Sequence, residues 1–346
     1  MCQGGFVTVD LGWGIGGVLI GGLLNGSWVL PMKRMKAWKW ENTWLFFSVV
    51  GLVIIPWAAA VTTVPNLGRV FHETSWLTLG KVIVFGLGWG VGNILFGIGV
   101  SRLGLAVGYG IILGLIAPIG TFLPLIVLHP ERLWTRQGYT LIAGTVLVVL
   151  GIVGLAVAGQ RREKGGKVQA SMVQPGFFIG LVICILSGIF SPMLNFGFVF
   201  GQELQVHAFS LGAKPSMAAN AIWALALTRG FFVNAGYSLY LLTRNRTWGA
   251  FFTQAAGGSH WLGGCLMGGI LFGSFMAYGM GATALGPLGG IVGWPLLMSM
   301  SLITSNVWGA VTGEWKGASR GSYGFPLPGI ALLIVAIVVI SRGGSV

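Results

Sequence analysis

The stretch VIVFGLGWGVGNILFGIGVS, residues 82–101, runs for 20 residues without a charged side chain. An α-helix of about that length crosses a hydrocarbon core of ~30 Å. With histidine taken as neutral, charge is also absent from Leu11 to Met32, Asn42 to Gly68, Leu103 to Pro130, Gln137 to Gln160 and Val168 to Gln202. It is absent again across the 67 residues from Thr247 to Gly313, and from Gly321 to Ser341. Lipid offers no hydrogen bonds to a backbone, so runs of this length predict helices. A barrel would need alternating strands of about ten residues, and none is present.

Composition agrees. Mean hydropathy is +0.85, 55% of residues are apolar and only 8% are charged, which excludes a soluble domain and a disordered chain. The net charge of +13 would suggest nucleic acid in a soluble protein. Here the basic residues sit in short loops between apolar runs, so topology explains them and no nucleic-acid partner is expected. The segment before Leu11 lacks a basic region and a cleavage site, so the first span is expected to be retained. Cys2, Cys184 and Cys265 have no metal-like spacing. No disulfide, metal or cofactor is expected.

Dividing the runs at their turn signals predicts an all-α membrane protein of ten helices, near 10–31, 43–64, 78–100, 105–128, 138–158, 175–201, 215–243, 261–281, 286–311 and 326–342. The tightest divisions fall at Ser101-Arg102 and between Thr283 and Gly286. Loops after the odd-numbered spans hold 13 of the 20 basic residues: Lys33, Arg34, Lys36, Lys39, Arg102, Arg161, Arg162, Lys164, Lys167, Arg244, Arg246, Lys316 and Arg320. The positive-inside rule places these loops in the cytoplasm and both termini outside.

The chain repeats itself. Residues 96–104 (FGIGVSRLG) recur as residues 278–286 (YGMGATALG), an offset of 182 that Gly86/Gly268 and Gly108/Gly290 share. Five spans repeated once must insert the second copy upside down, and such inverted repeats mark secondary transporters. The expected halves are residues 1–160 and 175–346, joined by a basic cytoplasmic linker at 161–174. The 60 glycines include small-xxx-small pairs such as Gly88/Gly92, Gly104/Gly108 and Gly269/Gly273, which let backbones approach. The run from Gly12 to Gly17 matches a dinucleotide fingerprint, but without a preceding strand the match is accidental. Pro31, Pro56, Pro118, Pro192 and Pro295 are expected to kink or end spans.

The run PMKRMKAWKWENTW (residues 31–44), continued by Ile55-Pro56-Trp57, resembles the L-rhamnose–proton symporter family of the drug/metabolite transporter superfamily. Residues 88–93 (GWGVGN) and 313–316 (GEWK) are similar to it as well. The resemblance covers nearly the whole chain. It implies two inverted five-helix halves and proton-coupled uptake of a 6-deoxyhexose across a bacterial inner membrane. Between Gly286 and Trp294 the chain has no carboxylate, where the resemblance to enterobacterial-type members implies an acidic or tyrosine-bearing segment, which leaves the coupling ion and the exact sugar open.

A deoxysugar needs paired donors and acceptors for its hydroxyls and an aromatic face for its apolar side. At mid-span depth the candidates are Asn25 and Trp28, Trp89 and Asn93, Asn195, Trp223, Arg229, Asn234 and Tyr237, Tyr278, and Trp294, Ser305 and Asn306. Trp89/Asn93 and Asn234/Tyr237 stand at helical spacing and share a face. Each asparagine also reads as an interhelical hydrogen bond that holds the bundle together. Arg229 is a charge near mid-helix, expected to face a cavity and pair with an acid or carbonyls. Trp38, Trp40, Trp44, Trp134, Trp248, Trp261 and Trp315 read as an interfacial belt.

Proton coupling needs a group that changes charge. Of seven acids, Glu73, Glu131 and Glu163 read as loop residues, and Asp10 and Glu314 as span-end caps. Glu41 and Glu203, with His260, are the coupling candidates. A drug/metabolite-type exporter, or a uniporter for another sugar or small polar solute, stays open beside symport. No catalytic constellation is present, so an enzyme is not expected, and a scaffold would have no use for a polar midplane.

Overall fold

The computed structural model describes residues 10–103, 105–164, 177–253, 256–313 and 326–343, and these contain helix and turn but no strand. The α-helices are α1 (Leu11–Asn25), α2 (Trp40–Val49), α3 (Ile55–Thr63), α4 (Leu67–Glu73), α5 (Trp76–Leu103), α6 (Leu105–Leu128), α7 (Arg136–Lys164), α8 (Phe177–Phe190), α9 (Met193–Phe200), α10 (Gln202–Ser210), α11 (Asn220–Arg244), α12 (Gly258–Ala284), α13 (Gly289–Val311) and α14 (Pro326–Gly343). Among the described residues eight stretches are long and apolar enough to span a bilayer: Leu11–Arg34, Trp40–Thr63, Trp76–Leu103, Gly110–Leu128, Arg136–Val157, Phe177–Ser210, Gly258–Ala284 and Gly289–Val311. The 25 residues of α11 carry Asn220, Thr228, Arg229 and Asn234, which lowers its hydropathy below theirs.

Prolines shape the spans. A π-turn at Val50–Ile54 joins α2 to α3 just before Pro56, because proline leaves the carbonyl four residues earlier without its usual donor. Pro118 and Pro295 lie inside α6 and α13. Pro192 breaks the sixth apolar run between α8 and α9, and Gly201 breaks it again before α10. The expected single helix over 175–201 is therefore three segments reaching Ser210. Glu73 ends α4 and is not in a loop. The division expected at Ser101-Arg102 is displaced, since α5 continues to Leu103. At the other close division Gly286 has φ +83°, a left-handed turn that a side chain would strain. The first residues of the expected linker, 161–164, belong to α7, and 165–174 lie outside the described residues.

Glycine decides how closely the rods approach. A Cβ on Gly51 would stand 2.6 Å from the Cα of Gly268, one on Gly86 2.3 Å from the carbonyl oxygen of Ala226, and one on Gly281 2.6 Å from that of Gly14. These contacts join the π-turn to α12, α5 to α11 and α1 to α12. In addition α1 packs on α13, α5 on α8 and α9, α6 on α7, α8 and α13, and α14 on α7 and α13. Side-chain bonds fix which ends share a face. On one face Lys33 donates to Thr312 (2.7 Å), the Ala37 amide to His260 (3.2 Å) and Asn42 to the Thr247 carbonyl (3.0 Å). This is the basic face. On the other, the Asp10 amide donates to the Ala284 carbonyl (3.1 Å) and Asn220 to Thr63 (2.9 Å).

Candidate sugar-binding cavity

A cavity of about 360 Å³ lies between the helices, toward the basic face, within the ~300–1,000 Å³ usual for small-molecule sites. The end of α1 contributes Asn25, Trp28 and Val29, and the start of α2 contributes Trp40 and Trp44. From α5 come Trp89, Asn93, Phe96, Gly97 and Val100; the α8–α9 break supplies Ser191; and α12 and α13 supply Leu271, Phe275, Trp294, Met298, Ser301 and Ser305. No Asp, Glu, Lys, Arg or His is among the residues lining it.

One wall is aromatic. Trp40 stacks on Trp44 with centroids 4.7 Å apart at 21°, and Trp28 tilts against Trp44 at 5.6 Å and Phe47 at 5.0 Å. Trp89 meets Phe275 edge to face at 6.0 Å, and it fits because Gly230 presents no side chain to its ring. The polar groups are set by one buried residue. Asn234 Oδ1 accepts from Trp44 Nε1 (2.9 Å) and from Asn93 Nδ2 (3.0 Å), while its own Nδ2 donates to the Gly230 carbonyl (2.9 Å). That occupies Asn93 Nδ2 and leaves Asn93 Oδ1, which has no partner among the described residues, as the acceptor this cavity-lining residue has to offer. The side chains of Asn25 and Ser191 and the indole nitrogens of Trp28, Trp40 and Trp89 have no hydrogen-bond partner among the described residues. They supply the donors and acceptors that sugar hydroxyls require.

Six of the sequence candidates thus meet at the cavity: Asn25, Trp28, Trp89, Asn93, Trp294 and Ser305. Others stand behind it. Asn234 orients the wall, and Tyr237 lies edge-on to Trp40 at 6.1 Å. Asn195, Trp223 and Tyr278 are buried on the far side of the floor formed by Phe275 and Trp294. There Tyr278 OH contacts Asn195 Oδ1 (2.5 Å), and Asn195 donates to the carbonyls of Gly120 (3.0 Å) and Gly290 (3.1 Å). Asn306 bonds to the Leu302 carbonyl of its own helix. Arg229 departs from expectation. It is away from the cavity, its Nε has no partner, and its guanidinium lies 5.9 Å from the Phe232 ring.

The interfacial-belt reading also fails in part. Trp38 and Trp44 are buried and Trp40 lines the cavity, because residues 40 and 44 share one helix face and that face turns inward. Trp134, Trp248 and Trp261 are exposed, in keeping with a belt; Trp315 lies outside the described residues. Sequence reasoning missed Trp40, Trp44, Ser191 and Ser301. The four-residue spacing of Trp40 and Trp44, and the proline after Ser191, were the available signals.

The L-rhamnose-proton symport protein (RhaT) family matches residues 8–345. The chain belongs to that family. Relatives named L-rhamnose-proton symporter include one from Klebsiella pneumoniae subsp. pneumoniae and ones from Citrobacter koseri and Escherichia coli, each 28% identical over 97% of this chain and 98% of the relative. The family is one of transporters and not of enzymes.

In this RhaT-family chain two of the three coupling candidates, Glu203 and Glu41, hold helix ends, and His260 holds the turn before α2. Glu203 accepts from the Ser75 amide (2.7 Å), from Ser75 Oγ (2.6 Å) and from Thr78 Oγ1, so it caps α5 from a distant segment. Its Oε1 also lies 3.7 Å from His207 Nε2. His260 Nε2 accepts from the Ala37 amide, which requires that nitrogen unprotonated. Glu41 is buried where α2 begins, one residue from cavity-lining Trp40. Its Oε1 accepts from Asn245 (3.1 Å) and Thr247 (2.8 Å). Replacing Glu203 by glutamine removes an acceptor from the cap, worth about 0.5–2 kcal/mol. The expected result is a thermal midpoint lowered by a few degrees with sugar uptake retained. Loss of uptake at an unchanged midpoint would refute the capping role.

Gly97 gives a direct test of the cavity. A Cβ there meets nothing within 4 Å, and the residue lines the wall. Gly97→Phe is expected to abolish sugar binding in isothermal titration while the thermal midpoint holds. Undiminished binding would place the sugar elsewhere.

Proposed function

We propose that this protein imports L-rhamnose, or a 6-deoxyhexose of closely similar shape, together with a proton across a bacterial inner membrane. The observation carrying this reading is the uncharged cavity, which combines unpaired polar groups with a stacked tryptophan wall. Such a surface suits a neutral solute with hydroxyls and an apolar methyl face, and it offers no counter-charge to an ion. The names of the relatives agree with it.

The reading includes ten spans in two inverted halves, with α8–α10 as the sixth, α11 as the seventh and α14 as the tenth. Contacts that come in exchanged pairs support it. The first span on the eighth (α1 on α12) matches the sixth on the third (α8 and α9 on α5), and α5 on α11 matches α12 on α2. Likewise α6 on α7 matches α13 on α14, and α1 on α13 matches α8 on α6. With the basic loops cytoplasmic, the termini are periplasmic and the cavity opens inward.

Glu41 is the acid best placed to carry the proton, since it adjoins the tryptophan wall and its protonation would loosen the hold of Asn245 and Thr247. Uptake of labelled L-rhamnose into proteoliposomes should rise with an inward-acid gradient. Glu41→Gln should lose that rise while keeping exchange of internal for external sugar. Absence of any sugar uptake would overturn the reading. Gradient-independent uptake in the unsubstituted protein would favour a second reading, a uniporter, which the lack of a titratable group in the cavity supports.

A further inference from the structure

Tyr278 and Asn195 are candidates that the cavity leaves unused, yet the repeat gives them a place. The offset of 182 puts Tyr278 on Phe96, which lines the cavity. The first and sixth spans are related by a different offset, read from their packing. Gly281 is pressed against Gly17 of α1, and its counterpart Gly99 is pressed against Cys184 of α8, so Cys184 answers to Gly17, 167 residues earlier. A similar pairing recurs at the helix ends, within one residue of that offset. Glu203 reaches Thr78 as the Ala37 amide reaches His260, with 78 and 260 again 182 apart and 37 and 203 separated by 166. On the offset of 167 Asn195 answers to Trp28, another cavity wall. The two residues are therefore mirror counterparts of Trp28 and Phe96, folded away on the opposite side.

We infer that Asn195 and Tyr278 form a second sugar-contact site, which lines the pathway when the carrier opens to the face opposite the basic loops. This rests on the inverted-repeat transporter reading above. In the present state the pair is a latch. The Tyr278 hydroxyl lies 2.5 Å from Asn195 Oδ1 and 3.0 Å from the Gly290 carbonyl, and Asn195 Nδ2 reaches Gly120 and Gly290. Two elements besides their own, α6 and α13, are thereby tied shut beneath Phe275 and Trp294. Opening exchanges these bonds for water or sugar hydroxyls, so the polar cluster is satisfied in both states.

The test uses full-length protein in oriented membrane vesicles, with Cys2, Cys184 and Cys265 replaced by alanine. Single cysteines are placed at Ala282 and Phe196, the counterparts of cavity-lining Val100 and Val29, and Val100→Cys serves as the reference. A membrane-impermeant maleimide should label Val100→Cys from the basic face and both Ala282→Cys and Phe196→Cys from the opposite face. Adding Tyr278→Phe should speed the latter labelling about threefold, the shift expected from losing one membrane-buried side-chain hydrogen bond, and should slow labelling at residue 100. If both counterpart cysteines stay unreactive, or react only from the basic face, the inference is overturned. Sugar uptake is measured on the same vesicles. Its failure in the parent would count against the transport reading, whereas labelling decides this one.

Discussion

Gly268→Ala is expected to cost far more than any alanine substitution at an exposed glycine. The new Cβ would stand 2.8 Å from the Gly51 nitrogen and 2.9 Å from its Cα. Both are backbone atoms at the π-turn, so no side-chain rotamer can yield and the helices themselves must part. Overpacking of this kind costs on the order of 1–3 kcal/mol, and separating α12 from the second span also opens the packing behind the tryptophan wall. Gly86→Ala should behave alike, because its Cβ would lie 2.3 Å from the Ala226 carbonyl oxygen. Gly16, Gly80 and Gly236 face open space. Alanine there should be neutral or stabilising by up to about 1 kcal/mol through helix propensity. Thermal unfolding of the detergent-purified variants, followed by tryptophan fluorescence, separates the two groups. Equal midpoints for Gly268→Ala and Gly236→Ala would mean that the close crossing does not exist in solution.

That contrast also marks what the sequence made legible. Charge-free runs were decisive because lipid accepts few solutions for a backbone, and the helix expected over 105–128 agrees with α6 at both ends. The sixth run is longer than the expected 175–201, because the polar residues Gln202, Glu203, Gln205 and His207 mark no helix end. They lie on α10, whose Leu204 and Ala208 are buried. Depth along a helix is a matter of counting, but azimuth is not. Asn25, Asn93, Asn195, Asn234 and Asn306 all read as mid-span polar groups. Only Asn25 and Asn93 reach the cavity; Asn195 and Asn234 tie helices together; and Asn306 turns back on its own helix. What separates them is which neighbouring helix each one faces. A repeat in one sequence hints at that pairing without specifying it. The acids show the same limit, for Glu203 is held by Ser75 and Thr78, which stand 128 and 125 residues away in the chain but within hydrogen-bond reach.

Asn234→Leu should weaken sugar binding by at least about tenfold, the loss of roughly 1.4 kcal/mol, although residue 234 does not line the cavity. Leucine matches asparagine in size but accepts nothing, so Trp44 Nε1 and Asn93 Nδ2 both lose their shared acceptor. Unpaired donors in a dry core would cost about 1–3 kcal/mol each. Both of these side chains border the cavity, where water can replace Asn234, and membrane-buried side-chain hydrogen bonds average only ~0.6 kcal/mol. Stability should therefore fall by about 1 kcal/mol or less, and binding should carry most of the damage. The reason is orientation. Once released, the Asn93 amide turns to bond water or Trp44, and its oxygen no longer waits for a hydroxyl. A double-mutant cycle tests the mechanism. If Asn234 acts through Asn93, then Asn93→Leu alone, Asn234→Leu alone and the pair together should lose similar amounts of binding, giving a coupling of about 0.5–3 kcal/mol. Additive losses would show that Asn234 supports the sugar through Trp44 or not at all. Tight binding retained in Asn234→Leu would remove the residue from the site entirely.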